Sequence, residues 1–353
     1  MGSNPFLGVL LHALGGLAAG SFYIPFKGVK GWRWETYWLL GGLFSWILAP
    51  WIISLLTVPG TLEIIKSTPA NVLLRTYILG AFWGVGGLTF GLSMRFLGVS
   101  LGYALALGFC AAFGTLIPPI FHGEMGQKFG NTAGLVIMGG ILLCLVGIAI
   151  CGNAGTRKER EMPEEVKREA IKEFSFVKGV WVAIFAGIMS ACMAFAIDAG
   201  KPISDLAVAH GAASLWQNGP LFIVIMAGGF TTNLIWCIYL HIKNHSGTEY
   251  THAADGANLG LNWLLSAIAG ITWYFQFMFY GMGTTRLGKD YGFSSWTLHM
   301  AFIIIFSNLW GFAFHEWRGA TSTTRRVIIT GLGALVLSTI VIGGGNWLAQ
   351  SGH

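Results

Sequence analysis

Long apolar runs separated by short polar breaks dominate the chain. Ten runs are long enough to cross a bilayer, which takes about 20 apolar residues in helical form. They fall near residues 5–26, 37–58, 72–94, 97–121, 131–151, 179–198, 218–240, 259–283, 292–314 and 326–348. The third and fourth nearly touch at Arg95. The pattern predicts an all-α integral membrane protein of ten transmembrane helices. The longest polar break, 154–178, holds seven Lys or Arg and six Glu. It divides the chain into a first five-helix unit (1–153), a charged cytoplasmic linker (154–178) and a second five-helix unit (179–353). Five spans per half set the halves upside down relative to each other, so the expected fold is two inverted five-helix repeats. Faint internal likeness agrees. The first run ends in Phe26-Lys27, and the sixth is followed by Gly200-Lys201-Pro202. Trp83 precedes Arg95 by twelve residues, and Trp273 precedes Arg286 by thirteen.

Charge sets the expected orientation. Connections after odd-numbered runs carry fifteen Lys or Arg, against six after even-numbered runs. The basic excess places the odd set in the cytoplasm and both termini outside, in the periplasm. Composition strengthens the membrane reading. The chain is 54% hydrophobic and 10% charged, where a soluble domain carries about 25% charged residues. Its 51 glycines suit closely packed membrane helices, and Gly16/Gly20, Gly80/Gly84 and Gly87/Gly91 stand four apart. The net charge of +6 is scattered over connections, so no nucleic acid is expected as partner. The five cysteines lack metal or disulfide spacing. No metal ligand set, phosphate loop or nucleophile–base motif is present, so neither a cofactor nor an enzyme is expected.

The candidate chemistry lies at membrane depth. A glutamine and a histidine in hydrocarbon cost several kcal/mol, roughly, unless they face a partner or a wet cavity. Gln276 follows Trp273-Tyr274, and His299 follows Ser295-Trp296-Thr297 one connection later. Aromatic faces beside amide and imidazole groups suit a sugar: rings stack on C–H faces, and polar groups bond hydroxyls. Aromatic packing around one buried amide reads equally well from residue types alone. His12 and His299 each stand about eight residues into their helices, roughly 10 Å below the outer surface at 1.5 Å per residue. Imidazole titrates near pH 6.5, roughly, so either ring is a proton-coupling candidate, as is Glu35 if partly buried. A neutral histidine bonded to a neighbouring helix is the plain alternative, and an interfacial charge is the plain alternative for Glu35, Asp198 and Glu316. Lys27, Arg95, Lys201 and Arg286 read first as snorkelling end charges and second as gating groups that pair with carboxylates such as Glu35 or Asp290.

The same residues carry a resemblance. The stretch from Trp273 to Met300 resembles the bacterial L-rhamnose–proton symporter family of the drug/metabolite transporter superfamily. The likeness continues through Phe22-Tyr23-Ile24-Pro25-Phe26-Lys27, Trp34-Glu35-Thr36, Pro50-Trp51, Gly80-Ala81-Phe82-Trp83-Gly84, the run from Gly91 to Gly98, Lys201-Pro202 and Glu316-Trp317. It implies a multi-pass transporter of the bacterial inner membrane that imports a deoxy-hexose, L-rhamnose above all, with H+ as coupling ion. It implies a site between the first, third, fourth, sixth, eighth and ninth helices. Trp83, Trp273, Tyr274, Gln276 and His299 are the expected sugar contacts, with Tyr23 and His12 secondary. The expected partners are the sugar and the lipid bilayer, and the expected unit is a monomer. Transport of another sugar or metabolite, inward or outward, and an enzyme acting on a lipid-linked sugar remain open alternatives.

Overall fold

The computed structural model describes residues 4–97, 99–161, 175–252, 256–287 and 292–351, without the side chains of Arg95, Val99, Ser100 and Tyr103. The long helices are α1 (Pro5–Ser21), α2 (Trp34–Gly42, continued by Leu43–Leu48 and Ala49–Thr57), α3 (Ala70–Leu97), α4 (Val99–Phe121) and α5 (Thr132–Glu161). They are followed by α6 (Phe176–Ala199), α7 (Gly219–Asn244), α8 (Leu259–Thr284), α9 (Ser294–Ala313) and α10 (Ser322–Ser351). No strand occurs among the described residues. Nine spans among the described residues are long and apolar enough to cross a membrane. α8 has 26 residues but is not among the nine. Asn262, Trp273, Tyr274, Gln276 and Tyr280 dilute its apolar content.

Local chemistry explains the boundaries. Asn4 caps α1 by accepting from Leu7 N at 3.1 Å, and Pro5 takes the first turn, where no donor is needed. The basic and acidic residues after 151 do not end α5, which runs on to Glu161 with Gly152, Ala154 and Gly155 buried. The Glu161 carboxylate accepts from Thr321 N at 2.9 Å and Thr324 Oγ1 at 2.6 Å, and so covers free donors at the start of α10. In α2, Pro50 lacks an N–H for the helical ladder. The preceding turn, Leu43–Leu48, is π-helical, and Ala49 N reaches back to Phe44 O. A π turn before a proline is a local accommodation of the missing bond. It turns the buried Trp46 ring toward Trp83, 6.2 Å away.

The packing follows small residues. α3 meets α7 through Gly80 and Gly84: a methyl group at Gly80 would overlap the Ile225 carbonyl, and one at Gly84 the Thr232 hydroxyl. α1 meets α9 in the same way through Gly16 and Gly20 against Phe302 and Phe306. The third glycine pair, Gly87 and Gly91, meets nothing and faces open space. Among the long helices, α1 packs on α8 and α9, while α6 packs on α3 and α4. α3 packs on α7, α8 on α2, and α5 on α10.

Candidate functional site

A cavity of about 890 Å³ runs between these helix groups. Its wall holds Lys27 beyond the end of α1, Lys158 near the end of α5 and Glu316 beyond the end of α9. Lys27 and Glu316 are half exposed, so the cavity opens at this end. At the other end α9 closes against α4. Trp296 Nε1 donates to Cys110 O at 3.0 Å, and the Thr115 and Thr297 hydroxyls share a bond of 2.7 Å.

The inner wall is aromatic with a few unpaired polar groups. Trp273 packs its ring 4.2 Å from Phe22, and Trp83 lies 5.4 Å from Phe277. Residues three and four apart share a helix face, so Trp273, Gln276, Phe277 and Tyr280 form one stripe of α8. The first three line the cavity. Tyr274 points about 100° away, since a helix has 3.6 residues per turn. Its side chain is buried in the apolar core and is not on the cavity wall. Trp273 Nε1, Gln276 Nε2 and both His299 ring nitrogens are buried without a hydrogen-bond partner among the described residues. Such groups in a polar, roomy site take water or ligand hydroxyls. Tyr23 lines the same cavity, 6.4 Å from Trp38.

The remaining candidates are spread over several places. His12 is fully buried, not on the wall, with its ring 6.4 Å from His299 and 5.2 Å from Tyr280. Glu35 is 3% exposed and also off the wall. Its carboxylate accepts from Asn244 Nδ2 at 2.9 Å and Ser246 Oγ at 2.7 Å, which ties the start of α2 to the α7–α8 connection. Beside it Thr36 Oγ1 donates to Glu249 at 2.6 Å, and Arg33 Nη1 donates to Asn244 O. Lys27 pairs with Glu316 at 3.5 Å and lies over the Phe314 ring. Lys201 is exposed at the start of a short helix, Lys201–Ala209. Arg286 is buried in the turn after α8, and its carbonyl accepts from Asn4 N at 3.0 Å. The Arg95 side chain and Asp290 lie outside the described residues. Among the described residues no three His, Cys, Asp or Glu side chains cluster as a metal site.

The sequence model of the family described as L-rhamnose-proton symport protein (RhaT) matches residues 1–347. The chain belongs to this family. The L-rhamnose-proton symporter of Pectobacterium atrosepticum is 38% identical over 344 residues, covering 97% of this chain and 98% of the relative. That of Yersinia pestis strain Pestoides F is 36% identical over the same coverage.

In this family member the cavity also draws on helices that sequence reasoning did not assign to the site. α2 contributes Trp34, Trp38 and Trp46, and α7 contributes Asn233. Trp38 Nε1 donates to Asn233 Oδ1 at 3.0 Å, so the amide fixes the ring. Asn308 of α9 and Ser190 of α6 add polar atoms. The i, i+4 spacing of Trp34 and Trp38, and an asparagine at membrane depth, were the signals available. Both are the same type of signal that selected Trp273 and Gln276.

Proposed function

We propose that the chain imports L-rhamnose together with protons across the bacterial inner membrane, by alternating access around this cavity. The observation that carries the reading is the inner wall: aromatic rings surrounding the unpaired Trp273 Nε1, Gln276 Nε2 and His299 nitrogens. Rings match the apolar C–H face and methyl group of a deoxy-hexose, and the unpaired groups match its hydroxyls. The names of the two relatives supply the substrate and the coupling ion. The family is one of transport proteins, and no enzymatic step is part of the reading.

We read the architecture as ten spans in two inverted repeats of the drug/metabolite transporter type. α8 counts as a span because 26 residues extend roughly 39 Å at 1.5 Å per residue, beyond the roughly 30 Å hydrocarbon core. The pairing of helices supports the repeat. Shifting each helix by five turns α1–α8 and α1–α9 into α6–α3 and α6–α4, and turns α3–α7 into α8–α2. With the basic connections in the cytoplasm, the open end of the cavity faces inward and the termini face the periplasm.

His299 is the proposed coupling group. Glu316 is the carboxylate on the cavity wall among the described residues, and it sits at the mouth, half exposed and paired with Lys27. His299 is the imidazole on the inner wall. Its neutral form offers one donor and one acceptor to a sugar, and gaining a proton changes both charge and bonding. The test uses labelled L-rhamnose in proteoliposomes, with and without a pH gradient. Counterflow and gradient-driven accumulation are expected. His299→Gln keeps part of the counterflow and loses accumulation. Chemical turnover of a lipid-linked sugar without transport would overturn the reading.

A further inference from the structure

His12 and His299 are both 0% exposed, and all four ring nitrogens lack a hydrogen-bond partner among the described residues. Neutral imidazole carries one donor and one acceptor, and buried groups of this kind are nearly always paired. Both rings are wedged against glycines of a facing helix. A methyl group at Gly283 of α8 would stand 2.9 Å from His12 Nε2, and one at Gly15 of α1 would stand 3.4 Å from His299 Cε1. Tyr280 has its ring 5.2 Å from each of them.

The polar groups nearest the pair come from α8, α9 and α4. α8 supplies Tyr280 and Gln276, and the charged residue beyond its end is Arg286, whose N donates to Gly283 O. α9 supplies Trp296, 6.4 Å from His299, whose Nε1 is held by Cys110 O of α4. Among the described residues, no carboxylate is hydrogen-bonded or ion-paired to either ring. His299 lies on the cavity wall, while His12 lies behind it.

We propose that His12 and His299 act as one titrating unit that holds a single proton. The proposal rests on the symport reading above. Two imidazolium rings 6.4 Å apart, with no carboxylate among the described residues bonded to either, repel strongly, so the first proton excludes the second. Tyr280 meets both rings in edge contacts and is the aromatic side chain common to the pair. The proton comes from cavity water onto His299. His12 stays out of contact with the sugar and shares the proton that His299 takes up, without changing the affinity for sugar.

Two measurements test the unit. In the unmodified protein, the limiting accumulation of L-rhamnose at zero membrane potential should rise about tenfold per unit of pH gradient, the value for one proton. A rise of about a hundredfold means two protons and overturns the proposal. A complete absence of gradient-driven accumulation instead defeats the symport reading itself. In the second measurement, ring-nitrogen NMR of labelled histidine, assigned by loss of signals in His12→Gln and His299→Gln, should show each ring partly protonated at the pH where uptake saturates. In His12→Gln the His299 signal should move to that of a full imidazolium. A pH-independent His12 signal, or two fully protonated rings in the unmodified protein, overturns the unit.

Discussion

The hydroxyls of Thr115 and Thr297 face each other at 2.7 Å across the contact of α4 with α9, both fully shielded from solvent. Together with the Trp296–Cys110 bond they close the end of the cavity opposite its mouth. Removing one hydroxyl leaves the other buried and unpaired, whereas removing both leaves an apolar contact of the same shape. Thr115→Val is therefore expected to destabilise by about 1–3 kcal/mol, and Thr115→Val with Thr297→Val to recover most of that loss. Thermal unfolding of the single and double variants in detergent checks the sign of the coupling.

Trp273 lines the cavity with its Nε1 unpaired. If its ring stacks on the sugar, Trp273→Ala weakens L-rhamnose binding by about 1–3 kcal/mol, while Trp273→Phe loses much less. Calorimetric titration of the purified variants reads the difference directly. An unchanged affinity in folded Trp273→Ala would assign the ring to packing against Phe22.

Glu35 is expected to act as a latch. Its carboxylate is held by Asn244 and Ser246, away from the cavity. Glu35→Gln keeps shape but weakens two charge-assisted bonds, a loss of roughly 1.5–3 kcal/mol. Stability should fall while pH-driven accumulation of L-rhamnose survives. Loss of accumulation in a variant that still melts like the parent would return Glu35 to the proton path.

Orientation is tested in the charged linker. A cysteine at Glu165 should resist an impermeant thiol reagent in intact cells and react after the membrane is opened. Glu165 is a better site than Glu161, whose carboxylate caps α10. Labelling from outside in intact cells would invert the orientation.

The resemblance to the L-rhamnose–proton symporter family holds, and the chain belongs to that family. Much of the fold was legible for a simple reason. A bilayer demands that each span satisfy its own backbone, so length and apolarity alone mark the helices. The ten apolar runs correspond to the ten long helices, with differences at the ends. α5 outlasts its apolar run by ten residues because charged side chains do not break a helix and Ala154 still packs against Trp317 and Ile328. α8 falls short of the apolarity of the nine candidate spans because it carries polar groups such as Asn262 and Gln276, and Gln276 beside Trp273 was itself the sequence signal for the cavity.

The sequence by itself determined an all-helical chain, its ten apolar runs, and which polar residues must be buried among them. The tertiary structure decided which of those polar residues share a wall. Periodicity separates Tyr274 from Gln276 on α8 but says nothing about which neighbour either face meets. Glu35 and His299 both read as proton-coupling candidates. One proves to be bonded to Asn244 and Ser246, and the other is left unpaired at the cavity. Likewise Trp38 and Asn233 are 195 residues apart, and their bond exists only because α2 and α7 are brought together. Helix formation is local and is written in nearest neighbours. The site is assembled from distant helices, through close approaches such as Gly15 on His299 and Gly283 on His12, which no single stretch of sequence encodes.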